Sequence, residues 1–415
     1  MSTVKNVWSY FCFYIRYNRH LLVSIIVDIL VLIWSLINYD ELFSSSSLLV
    51  VFIAVFCNII WQSINLVSHF SFFKKNNPSE KILSNLFDSK RKEIVFSSIT
   101  LEGLDHYERN DQWGFIENPR INAILRSPDS VIKSLYTPEK AAVTRRYIQH
   151  YNSDLFVFLN HKWHKSQSRK GSFTNDKKIC LAGELNEENN TWRICEGYYY
   201  NGYLTNSIFN KYIGGTAYPL FSPRNSLNSS IVQLQRSPFS DHIGISTLLI
   251  TKDGYGIVLE QATNAGQYAG KIMPTGSGSM DYEDWNAEKD FKECITNAAM
   301  RELNEETGLF KSSNQAGFKV KTVVRSFYRD LERGGKPEFC CLSFVEAKLT
   351  DIEIFITPNR DEMAEDIHVS YLVLKKKEWE QNIIPRASLS LKMCYREAVS
   401  YLNENPSADV SVVIL

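Results

Sequence analysis

The hydrophobic pattern divides the chain into a front part of unbroken apolar runs and a long remainder of periodic ones. Leu21 to Ile37 holds Asp28 as its only charge, and Leu48 to Leu66 holds no charge but carries Asn58, Gln62 and Asn65. A spanning helix needs about 20 apolar residues, with about 17 as a lower limit. The runs therefore predict a two-helix transmembrane hairpin, at about 21–38 and 48–66, within an N-terminal segment 1–71. Tyr14 and Tyr17 precede the first run, and Arg16 and Arg19 can snorkel toward the interface. No small-residue cleavage site follows, so a cleaved signal peptide fits poorly, and a buried hairpin of a soluble protein is the alternative. Lys5, Arg16 and Arg19 lie before the first run and Lys74, Lys75 and Lys81 after the second, whereas the connecting loop carries Asp40 and Glu41. The positive-inside rule then places both termini in the cytoplasm.

An acid deep in a bilayer costs at least a few kcal/mol unless it is protonated, paired or turned to a polar interior. Asp28 has no basic residue at its depth, and Asn58 is a candidate hydrogen-bond partner. Asp28, Asn58 and Gln62 are thus expected to mediate helix association or to line a pore.

Behind a polar, lysine-containing linker at 72–92 the pattern turns to mixed α/β. In a middle segment, 93–237, Pro138 to Ile148 has helical spacing. His161 to Lys178 reads as a basic loop, and Tyr198-Tyr199-Tyr200-Asn201-Gly202-Tyr203 is an aromatic patch suited to strand packing or to base stacking. In the last segment, 238–415, Ile243 to Ile250 and Tyr255 to Glu260 read as strands joined by an Asp253-Gly254 turn. A glycine-rich loop is expected from Asn264 to Asp284, strands over Phe318 to Tyr328 and Phe339 to Glu346, and a closing helix over Arg386 to Leu402. Cys340 and Cys341 are adjacent, and neighbours in a strand face opposite ways. The loop Arg329 to Phe339 combines Gly334 and Gly335 with Arg329, Arg333 and Lys336, an anion clamp in composition.

The most informative stretch is Glu293 to Leu309. Phe291, Ile295, Ala298, Ala299 and Leu303 give a helix an apolar face, and Gly308 suits a left-handed C-terminal position. Its polar face gathers Glu302, Glu305 and Glu306 at spacings where like charges repel. Three carboxylates so placed suit a hard divalent cation held together with substrate phosphates.

Composition adds limits. The chain has 415 residues, enough for two or three domains, and 46 basic against 46 acidic side chains, so no global field recruits DNA or RNA. Eight scattered cysteines without metal-ligand spacing read as reduced thiols.

Glu293, seven residues, then Arg301-Glu302-Leu303-Asn304-Glu305-Glu306-Thr307-Gly308-Leu309 resembles the Nudix box. The leading glycine of that box falls on Ala287, near the longer Gly276-Ser277-Gly278-Ser279-Met280-Asp281 stretch. The resemblance implies a C-terminal Nudix-like α/β/α sandwich. It implies Glu302, Glu305 and Glu306 as metal-site or catalytic carboxylates for Mg or Mn, with Glu293, Arg301 and Gly308 bracing the box. Gly276 and Gly278, with Arg329, Arg333 and Lys336, are the expected ligand contacts. The whole layout, two apolar helices, a middle segment and a Nudix-like domain, resembles the two-transmembrane Nudix effectors of bacterial CBASS antiphage systems. That resemblance implies a multi-pass inner-membrane protein that senses a cyclic oligonucleotide made by a partner nucleotidyltransferase. On sensing it, the protein would assemble into homo-oligomers, disrupt the membrane and kill the infected cell. The box leaves a second class open, a membrane-anchored, Mg-dependent hydrolase of nucleoside diphosphate derivatives or of a nucleotide signal.

Overall fold

The structure is a computed structural model that describes residues 19–37, 50, 52–64, 95–151, 175–209, 230–260, 271–309, 317–352, 368–373 and 379–405. The basic stretch from His161 to Lys170, the 72–92 linker and residues 264–270 lie outside them. Two compact units emerge, one built on residues 1–92 and the other on 93–150, 166–210 and 224–415, with short further stretches in the first.

In the first unit, α1 (Arg19–Ile37) is 19 residues long, and residues 52–64 are also helical. Ile26, Val27, Leu30 and Trp34 on α1, and Ile53, Phe56, Trp61 and Ile64 on the second stretch, expose large apolar side chains. Asn58 Nδ2 donates to Asp28 Oδ2 at 2.9 Å, the partnership expected from the sequence. Among the described residues no helix is long and apolar enough to cross a membrane.

The second unit is mixed α/β. In chain order its strands are β1 (Thr100–Glu102), β2 (Glu108–Asn110), β3 (Phe115–Glu117), β4 (Lys133–Tyr136), β5 (Lys177–Leu181), β6 (Thr191–Tyr198), β7 (Ser230–Val232), β8 (Gly244–Thr251), β9 (Tyr255–Glu260), β10 (Ile272–Pro274), β11 (Gly276–Ser279), β12 (Val320–Asp330), β13 (Lys336–Val345) and β14 (His368–Val373). Its helices are α2 (Pro119–Arg126), α3 (Glu139–Tyr151), α4 (Tyr199–Tyr203), α5 (Phe291–Thr307), α6 (Leu349–Ile352) and α7 (Leu389–Glu404).

The main sheet runs β10-β9-β8-β13-β12-β3-β2, with β11 also on β8 and β14 on β9. The pair β8–β13 is parallel and β12–β13 antiparallel. Residues before 238 therefore enter the same sheet, because β3 pairs with β12 through Glu117 and Tyr328.

One face of the sheet is covered by α5 and the other by α7. Phe291, Cys294, Ile295, Ala298 and Ala299 of α5 pack with Ile245, Phe327, Phe339 and Cys341. On the far side Leu391, Cys394 and Ala398 of α7 meet Leu248, Tyr328, Cys340 and Leu342. The adjacent cysteines thus separate onto the two faces, as strand pleating requires. A three-stranded sheet, β4-β6-β5, adds Trp192 and Ile194 to the α5 side.

The glycine-rich loop expected over 264–284 is in part strand. Ile272–Pro274 and Gly276–Ser279 pair with β9 and β8. Their small side chains allow β11 to lie against the helix. A Cβ on Gly276 would stand 2.8 Å from the Leu303 backbone nitrogen, and that backbone cannot step aside. Gly276→Ala is expected to lower stability by about 1–3 kcal/mol, the range for overpacking a filled core. The midpoint of chemical denaturation checks it.

Candidate functional site: an acid-and-cation pocket beside helix α5

Helix α5 begins where Asp290 caps it. The Asp290 carboxylate accepts from Lys292 N at 2.9 Å and from Ile132 N at 3.1 Å. It ends at Gly308, whose φ of 67° is the left-handed conformation that glycine adopts without strain. Between these ends the helix presents Arg301, Glu302 and Glu305 to a cavity of about 640 Å³. Ser277, Gly278 and Ser279 of β11 floor it, Lys336 and Glu338 come from β13, and Tyr328 and Asp330 from β12. Other lining residues include Asp176, Lys178, Tyr199, Gly202, Tyr203, Asn206, His242 and Arg333.

Arg301 organises the acid side. Its Nε and Nη2 donate to both oxygens of Asp284, at 3.1 and 2.9 Å. Nη1 donates to Glu305 at 2.9 Å and pairs with Asp281 at 3.3 Å. Nη2 also reaches the Ser279 carbonyl and a Glu302 oxygen, each at 3.0 Å. Asp284 is itself fixed, accepting from Asp281 N at 2.8 Å. The carboxylate that holds Arg301 at two points is thus Asp284, while Glu293 stands exposed in the first turn of α5. Glu306 turns aside and accepts from Ser277 N at 3.2 Å.

Glu302 packs over Gly278, where any Cβ would overlap its carboxylate. Burial, reinforced by the charge on Glu305, pushes its acid up to about 7 against the pull of Arg301. A folded-state value above the unfolded one means that the folded protein binds the extra proton. Stability from this group is then lost as pH rises from about 4.5 to about 7. Glu302→Gln removes the ionisation. Its stability relative to the parent should therefore increase across that window and level off above it, which denaturation at several pH values measures.

The cation side is built on the turn between β12 and β13. Gly334 and Gly335, with φ of 63° and 77°, permit it. Lys336 and Arg333 both direct a nitrogen at the same oxygen of Glu338, Arg333 at 3.3 Å. The Glu338 carboxylate and the Lys336 amine lie where a Cβ on Gly244 would be. Burial pulls Lys336 below the usual lysine range, with Glu338 opposing. Asp330 at the end of β12 is pushed by burial up to about 7. Lys178 is paired with Asp281, so it links the middle stretch to the acid side. His242 is held neutral, its imidazolium disfavoured first by burial and then by Lys336 and Lys178, down to about 3. Its Nε2 is buried and makes no hydrogen bond.

Most of the expected ligand contacts therefore meet here: Arg333, Lys336 and Gly278, together with Glu302 and Glu305. Arg329 does not join them. It is fully buried, donating to the carbonyls of Gly335 and Val232, both at 2.9 Å, and pairing with Glu184 at 3.2 Å. Gly276 serves the packing of β11 on α5. Lys178, Tyr199, Tyr203, Asn206 and His242 are cavity residues that spacing in the sequence did not single out as a set. Tyr199 and Tyr203 share one side of α4 at helical spacing, a signal visible only once the patch is read as helix.

The fit of a divalent cation can be judged from the donors. Glu302 and Glu305 both bond Arg301, and Glu306 bonds a backbone amide. Among the described residues no group of three His, Cys, Asp or Glu side chains is placed to hold a metal ion. The carboxylates in this arrangement do not fit Mg or Mn.

No family model matches the chain, and no curated protein matches it. Solved structures do. A MutT protein from Methanosarcina mazei Go1 is 15% identical over 40% of this chain and 96% of that one, with a TM-score of 0.25. The Nudix hydrolase RenU from M. smegmatis is 14% identical over 39% of this chain and 88% of that one, with a TM-score of 0.24.

Proposed function

We propose that the chain is a membrane effector of CBASS antiphage defence whose pocket binds a cyclic oligonucleotide. The observation that carries this reading is the two-sided cavity. At about 640 Å³ it lies within the range of about 300–1,000 Å³ usual for small-ligand sites. Lys336 and Arg333 offer charge to phosphates, and Tyr199 and Tyr203 offer rings to bases, with stacking worth about 1–3 kcal/mol per base. Residues of the middle stretch thus complete a pocket that the Nudix-like part begins.

Signalling follows from differential affinity. A ligand shifts an equilibrium only by as much as it prefers one state. Here the preferred state is one in which several copies gather. Gathering raises the effective concentration of the apolar helices, and the inner membrane is breached. The nucleotide comes from a nucleotidyltransferase encoded for the purpose, and the cell dies before the phage matures. The Asp28–Asn58 bond joins two polar side chains on helices that are mostly apolar. Asp28→Leu is expected to leave ligand binding intact and to abolish ligand-triggered leakage.

A second reading is an anchored hydrolase, favoured by Glu302 and Glu305 facing the same cavity. Reconstitution in dye-loaded liposomes with a panel of cyclic oligonucleotides tests the first reading. Release by one member of the panel supports it. Silence toward all of them, with turnover of a nucleoside diphosphate conjugate, supports the second.

A further inference from the structure

Arg301 donates hydrogen bonds to Asp284, Glu305 and the Ser279 carbonyl, and Asp281 and Glu302 stand within ion-pair distance of it, at 3.3 and 3.0 Å. Its guanidinium therefore neutralises the acid side, with four carboxylates gathered around it. Two of those carboxylates, Asp281 and Asp284, come from the segment between β11 and α5. Asp284 is locked by the Asp281 amide, and Asp281 is shared with Lys178. A metal ion entering here would have to break a fork that both the backbone and the side chains maintain. On the other side Lys336 and Arg333 converge on Glu338 and face the cavity.

We infer that Arg301 stands as a built-in cation where the carboxylates of α5 would otherwise gather a divalent metal, and that an anion in this pocket is held by Lys336 and Arg333 without one. The pocket is then oriented by its own charges. Phosphate groups go to the β12–β13 turn, and hydrogen-bond donors of the ligand go to Glu302 and Glu305. Mg²⁺ is not a co-ligand. Glu338 is a positioning residue, since one of its oxygens aims both cations.

This inference rests on the proposal that the pocket binds anions, but its test needs no nucleotide. Full-length protein in detergent is titrated with Mn²⁺ alone, and free Mn²⁺ is followed by its paramagnetic resonance signal. The expected result is a wild-type titration with no carboxylate-dependent site. Arg301→Gln gains a saturable site that Arg301→Gln/Glu302→Gln loses. Uptake at a place indifferent to Glu302→Gln/Glu305→Gln agrees with the inference. A stoichiometric wild-type site that Glu302→Gln/Glu305→Gln abolishes overturns it. If Arg301→Gln does not fold, the wild-type titration and its carboxylate variant decide alone. Should no cyclic oligonucleotide bind, the functional proposal fails while the Mn²⁺ result stands unchanged.

Discussion

Lys336→Met is expected to weaken binding of the proposed cyclic oligonucleotide by about tenfold to a hundredfold, the loss of one hydrogen bond to a charged group at about 1.5–3 kcal/mol. The amine is almost wholly buried, and the cavity wall holds it. Water therefore cannot replace it cheaply when it is removed. The same change strands Glu338, which keeps only Arg333 among its paired cations here. Some loss of stability will accompany the loss of binding, and a second variant separates them. Lys336→Met/Glu338→Gln removes the uncompensated charge. It should recover stability while leaving affinity low. Calorimetric titration gives the affinity, and dye release from liposomes should shift to correspondingly higher nucleotide concentration.

Arg301→Met is expected to be the most destabilising single change at the site, by about 3 kcal/mol, the lower end of the range for stripping one partner from buried ion pairs because the guanidinium retains some exposure. Four carboxylates lose their shared counter-ion, and Asp284, held by backbone, cannot turn away. The sign of the pH dependence follows. Arg301 opposes the rise of the Glu302 acid, so without it Glu302, already raised to about 7, takes a proton more readily still. The deficit should shrink as pH falls from 8 toward 5, because protons stand in for the missing cation. Denaturation of parent and variant at each pH measures this. A deficit independent of pH would mean that the loss is one of packing.

Much of the architecture was legible from period and punctuation. The apolar spacing of Phe291, Ile295, Ala298 and Leu303 with Gly308 beyond them marks α5 to within two residues. Strand alternation assigned Cys340 and Cys341 to different faces, where they are found. Other features were hidden by distance along the chain. Nothing in local spacing joins Asp284 to Arg301, 17 residues on, or brings Tyr199 and Tyr203 to the same cavity as Glu302. Arg329 misled because it was read as part of a loop. It is the penultimate residue of β12, between Tyr328 and Asp330, which both line the cavity, so pleating turns it the other way. Glu306 differs from Glu302 and Glu305 for the analogous reason on a helix, since one further residue rotates it toward β11. Gly276 to Ser279 read as part of a glycine-rich loop because glycine and serine favour turns. Here their small size instead lets a strand pass close to α5.

On the proposed function, occupation of this pocket without turnover would drive the protein into a membrane-active assembly. Full-length protein in liposomes should be incubated with each cyclic oligonucleotide in turn, with dye release and the amount of intact nucleotide followed in the same sample. One nucleotide is expected to trigger release and to be recovered whole, and Glu305→Gln/Glu306→Gln should still release dye once the nucleotide concentration is raised to offset the altered Glu305 contact. Release that tracks consumption of the nucleotide, and disappears in that variant although the nucleotide still binds, would contradict it.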